Sequence, residues 1–96
     1  MRTVHRFVIT ADDTAQPAML MPAREGEFPL AIGNAEIDRV EFWAEVDTTR
    51  TVPRYFQIFG TGHPVPEGSA RYAGTAPRNQ QGLVWHLFEV PEPRHA

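Results

Sequence analysis

Nine prolines and seven glycines punctuate this chain of 96 residues, and no convincing helix survives between them. Proline removes a backbone donor and clashes with the preceding turn, so a chain interrupted this often favours short extended segments. The apolar residues agree, because they repeat with period two. In "TVHRFVIT" (3–10), Val4, Arg6 and Val8 fall on one side and His5, Phe7 and Ile9 on the other. "RVEFWAEV" (39–46) sets Val40, Phe42, Ala44 and Val46 against Glu41, Trp43 and Glu45. "RYFQIFG" (54–60) alternates Tyr55, Gln57 and Phe59 with Phe56 and Ile58, and "LVWHLFEV" (83–90) is the last strong strand.

Weaker segments complete the pattern. "AMLMP" (18–22) and "FPLAIG" (28–33) are short and bounded by proline, so they read as edge strands or irregular connections around a polar tip, "AREGE". "ARYAGTA" (70–76) is a weak strand, followed by the loop "PRNQQG". A helix N-capped by Asn34 and carrying Ile37, Val40 and Ala44 would scatter Phe42, Trp43 and Val46 over its other faces, so a strand is expected over 40–46. Five to seven strands at roughly ten-residue spacing predict a single antiparallel all-β domain, sandwich or barrel, over residues 1–90. Residues 91–96, "PEPRHA", form a polar, proline-containing tail. Phe7, Phe42, Phe59, Val84 and Phe88 are the expected core.

A chain of this length supports one hydrophobic core and little more. It has no cysteine, which removes disulfides, thiol catalysis and cysteine-based zinc sites together. No apolar run approaches the ~20 residues of a membrane helix, and "MRTVHRF" has no apolar signal core, so neither a membrane nor secretion is expected. The net charge is −3, and all nine basic residues are arginines spread along the chain. Nucleic-acid binding calls for a basic patch and a high pI, so no nucleic-acid partner is expected. Arginine without lysine reads as a GC-rich coding style. Its functional reading is a set of bidentate contacts to carboxylates or phosphates.

The chemistry-bearing residues are few. His5 and His86 sit mid-strand, His63 in a loop and His95 in the tail, with none of the spacings that metal-binding helices use. No metal and no cofactor are expected. His5 and His86 become neighbours only if the first and last strands pair. The single serine, Ser69, lacks a nucleophile elbow, and Asp12, Asp13, Glu25 and Glu27 read as solvated loop acids. The most suggestive stretch is "FGTGHPVP" (59–66). Gly60 and Gly62 permit positive φ and close backbone approach, so Gly60, Thr61, Gly62 and His63 are candidate ligand-binding residues for an anion held on backbone amides. The expectation is instead a rigid corner stiffened by Pro64 and Pro66. Trp43, Tyr55 and Trp85 are candidate interaction residues, because in any strand register some of them must face away from the core.

"VHRF" (4–7), "VEFWA" (40–44), "FGTGHPVP" (59–66), "GTA" (74–76) and "LVWHLFE" (83–89) together resemble a family of small uncharacterised proteins common in phages of actinobacteria and in their prophages. The resemblance spans most of residues 4–89 and is weak between 11 and 32. It implies a phage or prophage source and supplies no activity and no catalytic residues. The expectation is therefore a non-enzymatic accessory protein that contacts protein: itself, a phage structural protein or a host protein. It would work in the bacterial cytoplasm or on the virion. The alternative is a module that binds a small anion at Gly60–Pro64.

Overall fold

Alternation is converted into seven strands: β1 (Arg2–Thr10), β2 (Gln16–Leu20), β3 (Ala31–Glu36), β4 (Arg39–Asp47), β5 (Val52–Gly60), β6 (Arg71–Thr75) and β7 (Trp85–Val90). The computed structural model describes residues 1–23, 25–26, 28–68 and 70–93. Arg24, Glu27, Ser69 and residues 94–96 lie outside them, and with them the expectations for Glu27, Ser69 and His95. The described residues contain no helix, so none is long and apolar enough to cross a membrane.

Two antiparallel sheets result, one of order β1-β4-β3 and one of order β2-β5-β7-β6. They pack face to face as an open sandwich rather than closing into a barrel. Asn34 lies in β3 and caps no helix, and a two-residue turn, Ile37-Asp38, joins β3 to β4. At the other end of β4, Asp47 accepts the Thr49 amide (3.0 Å) and hydroxyl (2.7 Å) and turns the chain towards the second sheet.

The core lies between the sheets. Val40, Phe42, Ala44 and Val46 are buried, as their alternation requires, and face Phe56, Ile58 and Leu87 of the opposite sheet within one apolar cluster. Four phenylalanine rings bridge the layers: Phe7 stacks on Phe42 (5.3 Å), Phe42 meets Phe56 (5.2 Å), and Phe28 touches both (5.5 and 5.2 Å). Full burial of one such side chain is worth roughly 1.5–3 kcal/mol.

Two of the expected core residues, Phe59 and Phe88, lie outside the cluster between the sheets. Phe59 is buried and Phe88 half-buried, but on the outward face of the four-stranded sheet, where their rings meet edge to face at 5.5 Å with Tyr72 beside Phe88. Register decides this: Ile58 pairs with Leu87 and Phe59 with His86, so the inward residue of β7 is the fully buried Leu87. Val84 is half-buried just before β7.

The four sheet edges are treated unequally. An unpaired edge invites another strand, and proteins blunt it with prolines, bulges, charged side chains or short length. β2 is five residues long and contains Pro17. β3 carries a bulge between Asn34 and Glu36, and β6 one between Tyr72 and Gly74. β1, nine residues long, has neither proline nor bulge.

Candidate functional site

The 60–63 segment is a tight turn closed from both sides. The His63 amide donates to the Gly60 carbonyl (3.0 Å), and the Gly60 amide donates to Nδ1 of His63 (3.1 Å). Gly62, third in the turn, has φ +88°, the left-handed geometry that a type II turn requires there. Gly60 gives the His63 ring its place: a Cβ on it would lie 2.9 Å from Cε1 of that ring and would displace it. The amide of Gly60, which an anion-binding loop would offer to a ligand, is spent on the imidazole.

His86 is also engaged, at both nitrogens. Nε2 lies 2.8 Å from the Thr61 hydroxyl and Nδ1 2.9 Å from that of Thr75, which in turn bonds the Tyr72 hydroxyl. The imidazole thus ties the turn to β6 across β7, with both ring nitrogens hydrogen-bonded to threonine hydroxyls. His5 lies on β1, in the other sheet, because β1 pairs with β4 and not with β7. Among the described residues no group of three or more His, Asp or Glu could hold a metal.

A cleft of about 270 Å³ runs beside the turn, lined by Gly60, Thr61, His63, Arg78, Leu83 and Trp85. Arg78 is exposed and makes no salt bridge with a described residue. Of the features that anion binding needs, the fold supplies this cation; the Gly60 amide is turned inward.

Trp43, Tyr55 and Trp85 are not brought together. Trp85 faces the core and its indole N–H donates to the Ile37 carbonyl (2.9 Å), a bond that straps the 77–84 loop to the β3–β4 turn alongside Asn79 (3.1 Å to the same carbonyl). Tyr55 lies on the outward face of the four-stranded sheet, 3.4 Å from Glu92; burial, and then the Glu92 charge, push its phenol above the usual tyrosine range. Trp43 lies on the outward face of the three-stranded sheet, half-buried, paired in register with Arg6 and Ala31. Val4 and Val8 share that face and are exposed, between the ion pairs Arg6–Glu41 (3.1 Å) and Arg2–Glu45 (3.8 Å).

One interaction that the scattered arginines gave no means to locate is bidentate. Arg54 donates Nε and Nη2 to the two carboxylate oxygens of Glu89 (2.9 and 2.7 Å), donates Nη1 to the Met21 carbonyl (3.0 Å) and sits 4.9 Å over the Phe28 ring. Its side chain is 11% exposed, and Arg71 approaches the same carboxylate at 3.6 Å. The β5–β7 register, Phe56 opposite Glu89, and the β6–β7 register, Arg71 opposite Glu89, bring these residues to one end of the core. The arrangement fixes that end of the sandwich.

No curated protein and no solved structure matches the chain. A family model described as a domain of unknown function, DUF7352, matches residues 1–96 from end to end, and the chain belongs to that family.

Proposed function

We propose that the protein is a non-enzymatic contact module of phage or prophage origin, a virion accessory or assembly component or a small modulator of a host factor. The observation that supports this best is the long edge of β1, free of proline and bulge, beside an outward face bearing Val4, Val8 and Trp43. An open edge supplies main-chain affinity and the alternating side chains supply selectivity, as in strand addition. The sequence resemblance supports the phage source. The imidazoles of His63 and His86 and the Arg54 guanidinium are occupied by structural hydrogen bonds, in keeping with a module that works through its surface.

A photo-cross-linking residue in place of Val8, in cells expressing the protein, tests the reading. A protein adduct at Val8 and none at Leu83, on the far loop, is the expected outcome. Absence of any protein adduct at Val8 overturns it.

Arg78 beside the 60–63 turn favours a second reading, a small anion held there. Titration with inorganic phosphate and with ATP decides it: binding that His63→Ala abolishes while melting is unchanged would replace the first reading.

A further inference from the structure

We infer that β1 pairs antiparallel with β1 of a second copy, joining two three-stranded sheets into one of six strands. The inference rests on the contact-module reading and names its partner.

The argument starts from backbone direction. Successive residues of a strand point their N–H and C=O groups to opposite edges. Met1 accepts a bond from Thr48, and the Ala11 amide donates to Asp38, so odd-numbered residues of β1 face β4. Even-numbered residues face away. Thr10 confirms this, because its amide and carbonyl bond the Gln16 side chain (3.0 and 2.6 Å) instead of β4. That carboxamide caps the edge at Thr10. No described residue bonds the main chain of Arg2, Val4, Arg6 or Val8 from the outer side. The open stretch is therefore Arg2 to Val8, and its midpoint is His5.

An antiparallel copy that uses the whole stretch has a single register. It sets His5 opposite His5 of the second copy, Val4 opposite Arg6 and Arg2 opposite Val8. Val4 and Arg6 then exchange main-chain hydrogen bonds, while the two His5 residues form a non-hydrogen-bonded pair, the kind with the closer side chains. Charge agrees with this register. Arg6 meets a valine, and the next residue across the sheet in that row is Glu45 of the second copy, since Val4 pairs with Glu45. Arg2 likewise meets Val8 and then Glu41. Sliding the copies by one residue each way to centre on Arg6 would put two guanidiniums directly opposite each other, which is unfavourable. The register that fills the edge is thus the one that alternates charge. The other three edges carry a proline or a bulge, and β1 alone keeps a straight, open ladder.

Because the chain has no cysteine, one substitution reads the register directly. His5→Cys is expected to form an inter-chain disulfide under mild oxidation of the folded protein. Val8→Cys should not, because the two Val8 positions lie far apart along the paired strands. Sedimentation of the unmodified chain should give a dimer. Val4→Pro removes an amide that bonds nothing within the chain and should raise the dimer Kd by about tenfold or more, with the circular dichroism spectrum kept. Arg2→Glu, which leaves the backbone intact, should weaken the dimer as well and serves where the proline variant does not fold. A monomer at every concentration, or a Val8→Cys disulfide that forms as readily as that of His5→Cys, overturns the inference. A monomer that still gives a foreign-protein adduct at Val8 overturns self-pairing alone and leaves the contact module standing.

Discussion

The imidazole of His63 lies against Gly60, taking the Gly60 amide on Nδ1 and filling the space where a Cβ would stand. This one contact turns a glycine-histidine sequence that resembles a ligand loop into a brace. His63→Ala is expected to lower stability by the ~0.5–1.5 kcal/mol of one net hydrogen bond, towards the low end because the turn is exposed. Gly60→Ala should cost a similar amount by displacing the ring. The double variant should be no worse than either single one, because both remove the same interaction. Chemical denaturation of the three variants checks this, and additive losses would show that the two residues do not act through each other.

Gly74 of β6 lies against Ile32 of β3, in the opposite sheet. Its φ is +157°, and a Cβ there would lie 2.2 Å from Cδ1 of Ile32. Gly74→Ala should destabilise by ~1–3 kcal/mol through overpacking. Ile32→Val removes the atom in conflict but leaves the positive φ that an alanine must adopt, so in that background the alanine should cost less but still destabilise. Thermal melts of the two singles and the double measure the coupling.

Phe42 stands at the centre of the ring cluster and is completely buried, whereas Phe88 is half-buried on the outward face. Phe42→Ala should cost ~3–5 kcal/mol, a large part of the stability of a domain this small. Phe88→Ala should cost clearly less. Equal losses by urea denaturation would contradict the assigned β7 register.

The strands richest in alternation, β1, β4, β5 and β7, were readable because a residue facing a core and a residue facing water differ in type along the chain. The face of β7 was not, since Val84, His86 and Phe88 are as plausible inward as Trp85 and Leu87, and only pairing with Ile58 decides. Expected boundaries of "AMLMP" and "FPLAIG" shift to Gln16–Leu20 and Ala31–Glu36 because Gln16 hooks Thr10 and Pro29 cannot donate to a ladder. Phe28 enters the core from a loop, where no periodicity marks it. The three aromatic candidates separate onto different surfaces because strand order, which is non-local, sets what lies beside them. The open edge of β1 was invisible for the same reason.

Acid should loosen the β4–β5 turn. Asp47 is held well below the usual carboxylate range by the Thr49 amide, then the Thr49 hydroxyl, then the Met1 ammonium. A folded pKa below the unfolded one contributes stability above the unfolded value, about 4, and loses it as pH falls further towards the folded value. Stability measured from pH 5 downward should therefore decline, and Asp47→Asn should be less stable at neutral pH with a shallower decline in acid. An unchanged slope in the variant would show that Asp47 contributes nothing to it.

Residue-resolved amide exchange across a range of protein concentrations tests the use of the β1 edge for self-pairing most directly. The account predicts that the Val4, Arg6 and Val8 amides exchange fast when the chain is dilute and slow markedly as it associates, while the Phe7 amide, bonded to β4, is protected throughout. Amides at Val4, Arg6 and Val8 that stay fast at every concentration would contradict the self-pairing of β1.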